Sequence, residues 1–196
     1  MDEVWYLKIP LRQLTAITML SAAAAAVRVG VNWVAFSIPV PLYGVTVKIG
    51  LSETLAFVCG YVFGPIQGFI TGVLIIVVSD VCTWPGFWTP FIAAIIGLLG
   101  LFGGIFSRFR QEPSMMMLGA VAVVLTMVSE FLQNLWGAWY MWSFFTPETP
   151  FAMVFSTMIV NGLPSMITAV INNVVLFTAL APRVIGILRE WVVEDE

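Results

Sequence analysis

The stretch "GYVFGPIQGFITG", residues 60–72, places a glycine at every fourth position: Gly60, Gly64, Gly68 and Gly72. On one helix this spacing makes a smooth stripe, because residues four apart share a face. Pro65 breaks that picture, since a proline inside a helix removes a hydrogen bond and collides with the preceding turn. Mainly apolar residues run from about Ile49 to Val81. At about 1.5 Å per residue a single helix of that length would approach 50 Å, too long for a hydrocarbon core of about 30 Å. Glycine is favoured just past a helix end and proline at a first helical position. The stretch therefore predicts two helices joined in a tight hairpin at Gly64-Pro65.

Composition supplies the solvent for that hairpin. The 196 residues are 60% hydrophobic and only 10% charged, and the mean hydropathy is +1.00. A soluble domain of this size could not cover such a surface with polar groups, so the fold class predicted is an all-α integral membrane protein. Six spans are read as one transmembrane domain over 1–196, at roughly 13–35, 49–63, 65–83, 88–107, 115–143 and 152–181. The stretch "SIPVPLYGVTVK", 37–48, with two prolines and a glycine, reads as an extended loop. The start "MDEVWYLKIP" is acidic where a signal peptide would be basic, so the first segment is expected to stay. With the N-terminus in the cytoplasm, Lys8, Arg12, Arg108, Arg110, Arg183 and Arg189 all fall inside. The positive-inside rule then puts both ends in the cytoplasm. Cys59 and Cys82 fall at opposite faces, too far apart for a disulfide, and two free thiols are expected.

Charges inside spans are expensive and mark partners or watery cavities. Counting from the helix ends puts Arg28, Glu53, Asp80 and Glu130 in the outer half, with Lys48 at the outer mouth. Thr126, Glu130, Asn134 and Gly137 share one face of the fifth span, and Asn161, Ser165, Thr168 and Asn172 share one face of the sixth. Trp84, Trp88, Trp136, Trp139 and Tyr140 would wall a pocket open to the outside. Ion pairs such as Arg28 with Asp80, and interhelical amide bonds, are the structural alternative for each residue taken singly. In the first span Arg28 shares its face with Ile17, Ser21 and Ala24, whereas Ala22 and Ala26 point away from it. Alanines four apart admit a closely packed second helix, from a partner or from the same chain.

The chemistry excluded is equally informative. No histidine is present, which removes imidazole metal ligation and histidine general bases. No metal site or cofactor is expected, and no nucleic-acid partner, since the basic residues form no patch. Neither Lys8 nor Lys48 sits in a phosphate-binding loop, so a pocket of this kind needs an external motor or serves passive movement. An enzyme using Asp80 and Glu130 as paired carboxylates is disfavoured.

The stretch "VKIGLSETLAFVCGYVFGPIQGFITGVLIIVVSDVCTWPGFWTPFIAAIIGLLGLFGG", 47–104, resembles the substrate-binding S component of energy-coupling factor (ECF) vitamin transporters. The shared pattern is a helix ending Gly-x-x-x-Gly-Pro, a helix running through glycines to Ser-Asp, a short Pro/Gly turn, and a glycine-rich helix. Ala22 and Ala26 resemble the small-residue face by which such proteins dock on their T component. The resemblance implies a six-helix bundle in a prokaryotic plasma membrane that is not an enzyme and binds a small molecule near the outer face. A T component and two ATPase subunits would drive it. By position it implies ligand contacts at Lys48, Trp84, Trp88, Glu130, Asn134, Trp139 and Asn161, to which the charge pattern adds Arg28 and Asp80. "VKIGLSETL" resembles transporters of deazapurine precursors and "IPVPLYGVTV" the biotin branch. Abundant tryptophan and amides suit a flat nitrogen heterocycle. A stand-alone channel or passive carrier for a small polar solute is the alternative.

Overall fold

The computed structural model describes residues 11–37 and 50–193, with side chains from 11–31 and 50–191. The elements are α1 (Leu11–Ser37), α2 (Leu51–Phe63), α3 (Pro65–Cys82), α4 (Thr89–Phe109), α5 (Met115–Phe144), α6 (Phe151–Ala179) and α7 (Ala181–Val193). The loop reading of 38–48 and the placement of Lys8 and Lys48 lie outside the described residues.

Gly64 answers the opening stretch. Its φ of +114° is a conformation that side chains disfavour and glycine adopts freely. It ends α2, its N–H donating to Gly60 O at 2.9 Å, while Pro65 opens α3. The chain reverses in one residue.

That reversal brings glycine against glycine. A Cβ on Gly60 would collide with the carbonyl of Gly100 in α4, one on Gly68 with the same carbonyl and with the Gly60 backbone, and one on Gly100 with the carbonyl of Gly68. Gly72 meets the backbone of Ile96 and Gly97, Gly103 that of Phe57, and Gly104 that of Gly64 and Pro65. Helices in lipid gain no hydrophobic drive from meeting each other, so close backbone approach and dispersion hold them. α2, α3 and α4 thus form one tightly seated unit, and α1 lies on α3 and α2.

α5 packs chiefly on α6, forming a second unit. The two units meet where α2 touches α6 and α7 and where α4 touches α5. Phe57 lies 5.0 Å from Phe177 between ring centroids at the first junction, and Phe91 lies 4.7 Å from Trp136 at the second.

Among the described residues five helices are long and apolar enough to cross a membrane: α1 (over Leu11–Val31), α3, α4, α5 and α6. α2 has 13 residues, or about 20 Å, short of a full crossing. At 30 and 29 residues α5 and α6 are the longest of the described helices. Helix α7 is absent from the sequence reading, which let the sixth span run to 181 without a following element. Its signal was present as Ala181, Val184, Ile185 and Leu188, apolar at helical spacing and packed into the core, opposite exposed Arg183 and Glu190.

Candidate functional site

Two ends of the bundle differ in chemistry. One gathers Arg12, Arg108, Arg110, Arg183 and Arg189. There the Tyr61 hydroxyl lies 2.7 Å from the carbonyl oxygens of both Arg110 and Gln111, Arg189 donates to Gln111 O at 2.8 Å, and its guanidinium lies over the Tyr61 ring. This end is a clamp of α2 and α7 on the α4–α5 connection. The other end carries Trp84, Trp88, Trp136, Trp139 and Trp142, with Arg28 and Asp80, while Trp191 lies under the Arg12 guanidinium at the arginine-rich end.

At the tryptophan-rich end Arg28 of α1 reaches across to α3, where its Nη2 lies 3.1 Å from Asp80 Oδ1. Asp80 Oδ2 accepts from Thr89 Oγ1 at 2.7 Å, and Thr89 Oγ1 in turn accepts from the Gly86 N–H at 3.1 Å. Three helices and the α3–α4 turn are thereby tied to one carboxylate that is 2% exposed. Arg28 Nη1 is buried without an acceptor, so the guanidinium retains a hydrogen-bonding arm. Thr89, which completes this network, was missed in the sequence because a threonine opening a helix is common and gives no distance to Asp80.

On α5, Thr126 and Glu130 are buried and Asn134 is half-buried. Asn134 Nδ2 donates to Glu130 O at 2.8 Å, and its carboxamide lies against Gly162 of α6. Next to this face, Gln133 Nε2 donates to the buried Ser129 hydroxyl at 3.0 Å, a polar pair the sequence reading passed over. Nothing lies within 4 Å of the position a Cβ would take on Gly137, so the α5 surface is open there. On α6, Ser165 is buried, Thr168 and Asn172 are half-buried, and Asn161 is exposed.

Deeper, Asn173 is 1% exposed and donates from Nδ2 to Thr126 Oγ1 at 2.7 Å. Its Oδ1 has no hydrogen-bond partner and occupies the space a side chain on Gly50, at the start of α2, would need. The sequence placed Asn172 on the polar stripe and offered Asn172 and Asn173 together as interhelical hydrogen-bonding amides; Asn173 joins α6 to α5 and to the start of α2. The 100° between consecutive helical residues decides which of two adjacent amides faces a neighbour, and no sequence feature marked that face.

Aromatic rings close the same end. Phe91, Trp136 and Trp139 form a run of stacked rings, with centroid spacings of 4.7 and 4.9 Å. Trp84, Trp88 and Trp139 are exposed, and the ring of Trp88 covers Gly86. The Phe87 and Tyr140 rings approach to 6.4 Å. Of the residues predicted as ligand contacts, Arg28 and Asp80 are brought together in one network, while the Asn134 side chain donates to the backbone carbonyl of Glu130 one turn before it on the same helix. Trp84, Trp88, Trp139 and Asn161 are exposed, and Lys48 lies outside the described residues. Ala22 and Ala26 are exposed on α1, while Ile17, Ser21 and Ala24 on its other side are buried. Cys59 and Cys82 are free.

Long apolar helices, glycine-mediated packing and polar groups gathered between helices define a multi-pass α-helical protein of the cell membrane. A family model for the ECF-type riboflavin transporter, S component, matches residues 9–182, and the chain belongs to that family. It is therefore a membrane-embedded substrate-binding component for vitamin uptake, in a family of transporter subunits rather than enzymes. The riboflavin family stands where the two shorter stretches had suggested deazapurine precursors or biotin. Comparison with curated proteins and with solved structures returned no match.

Proposed function

We propose that the protein binds riboflavin, or a flavin closely like it, from outside the cell and delivers it through a T component energised by two ATPase subunits. The observation that carries this is the family match across nearly the whole chain. The chemistry of the tryptophan-rich end supports it. An isoalloxazine is a flat ring system with apolar faces and an edge of carbonyl and N–H groups, which suits the stacked rings of Trp136 and Trp139 for its faces and the amides of Gln133, Asn134 and Asn161 for its edge. Arg28, Asp80, Trp84, Trp88, Glu130 and, from the sequence, Lys48 complete the proposed ligand surroundings.

In this proposal the tryptophan-rich end faces outward and the arginine-rich end faces the cytoplasm, in keeping with the positive-inside rule. α2 serves as the sixth transmembrane element. The exposed Ala22/Ala26 face of α1 takes the T component, because there a helix with its polar side buried presents small residues outward.

The test is a fluorescence titration of the purified protein with riboflavin. Quenching of tryptophan emission should break sharply at one ligand per chain, as expected when a flavin lies near Trp136 and Trp139. An unchanged emission spectrum, with no riboflavin retained after gel filtration, would overturn the substrate assignment.

A further inference from the structure

The buried side chains of α6 are Ser165, Ala169, Asn173 and Phe177. They recur at every fourth position, as one packed face of a helix should, and all of them follow Pro164. Continued toward the helix start, the same face would pass through Asn161 and Thr157, and both are exposed. No residue from Phe151 to Leu163 is buried. The two halves are also anchored differently. After Pro164, Asn173 donates to Thr126 and lies against Gly50, and the Phe177 ring meets Phe57 at 5.0 Å, so that half is tied to both α5 and α2. Before Pro164, the helix meets α5 through rings, Phe155 on Phe131 and Phe151 on Trp142, each pair 5.8 Å apart, and through Gly162 against the Asn134 carboxamide.

Pro164 is the boundary for a chemical reason. It has no N–H to give the carbonyl of Val160, and its ring crowds that carbonyl. Gly162, two residues earlier, adds backbone freedom. Proline is a leading cause of sharp helix kinks, and a carbonyl freed inside a membrane helix is tolerated where polar groups stand near. The Asn134 carboxamide beside Gly162 meets that condition.

We propose that α6 is a hinged gate. Its second half is fixed to the bundle, and its first half, 151–163, swings about Gly162–Pro164 off α5. The swing parts the Phe131–Phe155 seam, opens the space between the two helices, and reverses over a bound ligand. The hinge follows from packing alone, whereas closure over a flavin rests on the flavin assignment above. Ring contacts suit such a seam, because they hold by area and have no donor–acceptor geometry to break. A ligand that touches the closed arm shifts the population toward it. The arm is about 20 Å long, and a swing of about 20° at such a kink carries its tip about 7 Å.

The experiment measures distances between paired spin labels in the purified full chain, with the exposed Cys82 replaced by serine and the buried Cys59 left in place. One label goes on α4 at Leu98→Cys. The other goes on the arm at Met153→Cys or, as the control, beyond the hinge at Val175→Cys, and all three side chains are exposed. Without ligand the arm pair should give distances spread over about 7 Å or more, narrowing under saturating riboflavin, while the control pair stays narrow throughout. Pro164→Ala restores the helix hydrogen bond. It should narrow the ligand-free arm distribution and, as the open fraction falls, slow riboflavin association about tenfold or more. An arm pair as narrow as the control pair in the ligand-free protein would overturn the hinge, and that comparison stands even if Pro164→Ala fails to fold. A folded Pro164→Ala protein with the wild-type spread would overturn it too. Riboflavin that binds without narrowing the arm distribution would overturn the closure. If riboflavin changes neither the arm distribution nor tryptophan emission, the flavin assignment falls and closure over a flavin with it, while the ligand-free comparison still decides the hinge.

Discussion

The α1–α4 unit and the α5–α6 unit meet one requirement, cohesion of helices in lipid, by different means. In the first, Gly60, Gly68 and Gly100 let three backbones touch, and a charged tie, Arg28–Asp80–Thr89, sits at one end. In the second, side chains hold the interface: Asn173 on Thr126, Asn134 against Gly162, and the rings of Phe131, Phe151 and Phe155. Backbone contact leaves no slack, because a glycine seat has no rotamer to change. Side-chain contact can rearrange. The difference indicates which unit is the frame and which is suited to adjusting around a ligand, and the junction between them at the tryptophan-rich end is made by aromatic rings.

The most severe way to break this contrast is Gly100→Leu. Its side chain would be driven into the backbone of α3 and α2, where neither neighbour can yield. The cost should exceed the about 1–3 kcal/mol of ordinary overpacking, and little monodisperse protein should survive size-exclusion chromatography in detergent. Arg28→Ala comes next: it leaves Asp80 buried without its cation and should cost about 3 kcal/mol, read as a lower midpoint in thermal or SDS unfolding. In the adjustable unit, Asn173→Ala removes one interhelical hydrogen bond and should cost about 1 kcal/mol, the usual scale for such bonds in membranes. A loss as large as that of Arg28→Ala would mean that the α5–α6 unit is as rigidly keyed as the other.

Smallest of all on stability should be Gly137→Ala and Ala26→Trp. Both face open space or the exterior, so each should shift stability by no more than about 0.5 kcal/mol. They sharpen the comparison in different ways. Gly137→Ala tests whether a glycine outside the α2–α3–α4 contact is dispensable. Ala26→Trp should retain riboflavin binding but lose co-purification with a T component, and retained assembly would remove the docking role proposed for that face.

The hairpin was legible because both of its determinants are local. Gly64 tolerates a positive φ and Pro65 tolerates the loss of an N–H, and each acts within its own turn. The orientation of α1 was legible for the same reason, since 100° per residue separates Ala22 and Ala26 from Arg28 without reference to any neighbour. Helix α7 was equally local and was passed over because it follows α6 without a loop, so the apolar run appeared to end rather than turn. The networks were another matter. That Arg28 meets Asp80, that Asp80 also takes Thr89, and that Asn173 rather than Asn172 faces Thr126 all depend on how separate helices are rotated and set in depth.

Sequence alone determined that this chain lives in a bilayer and where its α2–α3 hairpin doubles back, because lipid solubility and the Gly64-Pro65 break depend on residues near one another along the chain. Only the tertiary structure decided which polar groups pair across helices, which glycines are backbone seats, and where the two units join. In lipid the hydrophobic effect orders each helix against water but gives helices no instruction about one another. That instruction comes from shape and hydrogen bonding between residues far apart in sequence, and it exists only once they have met.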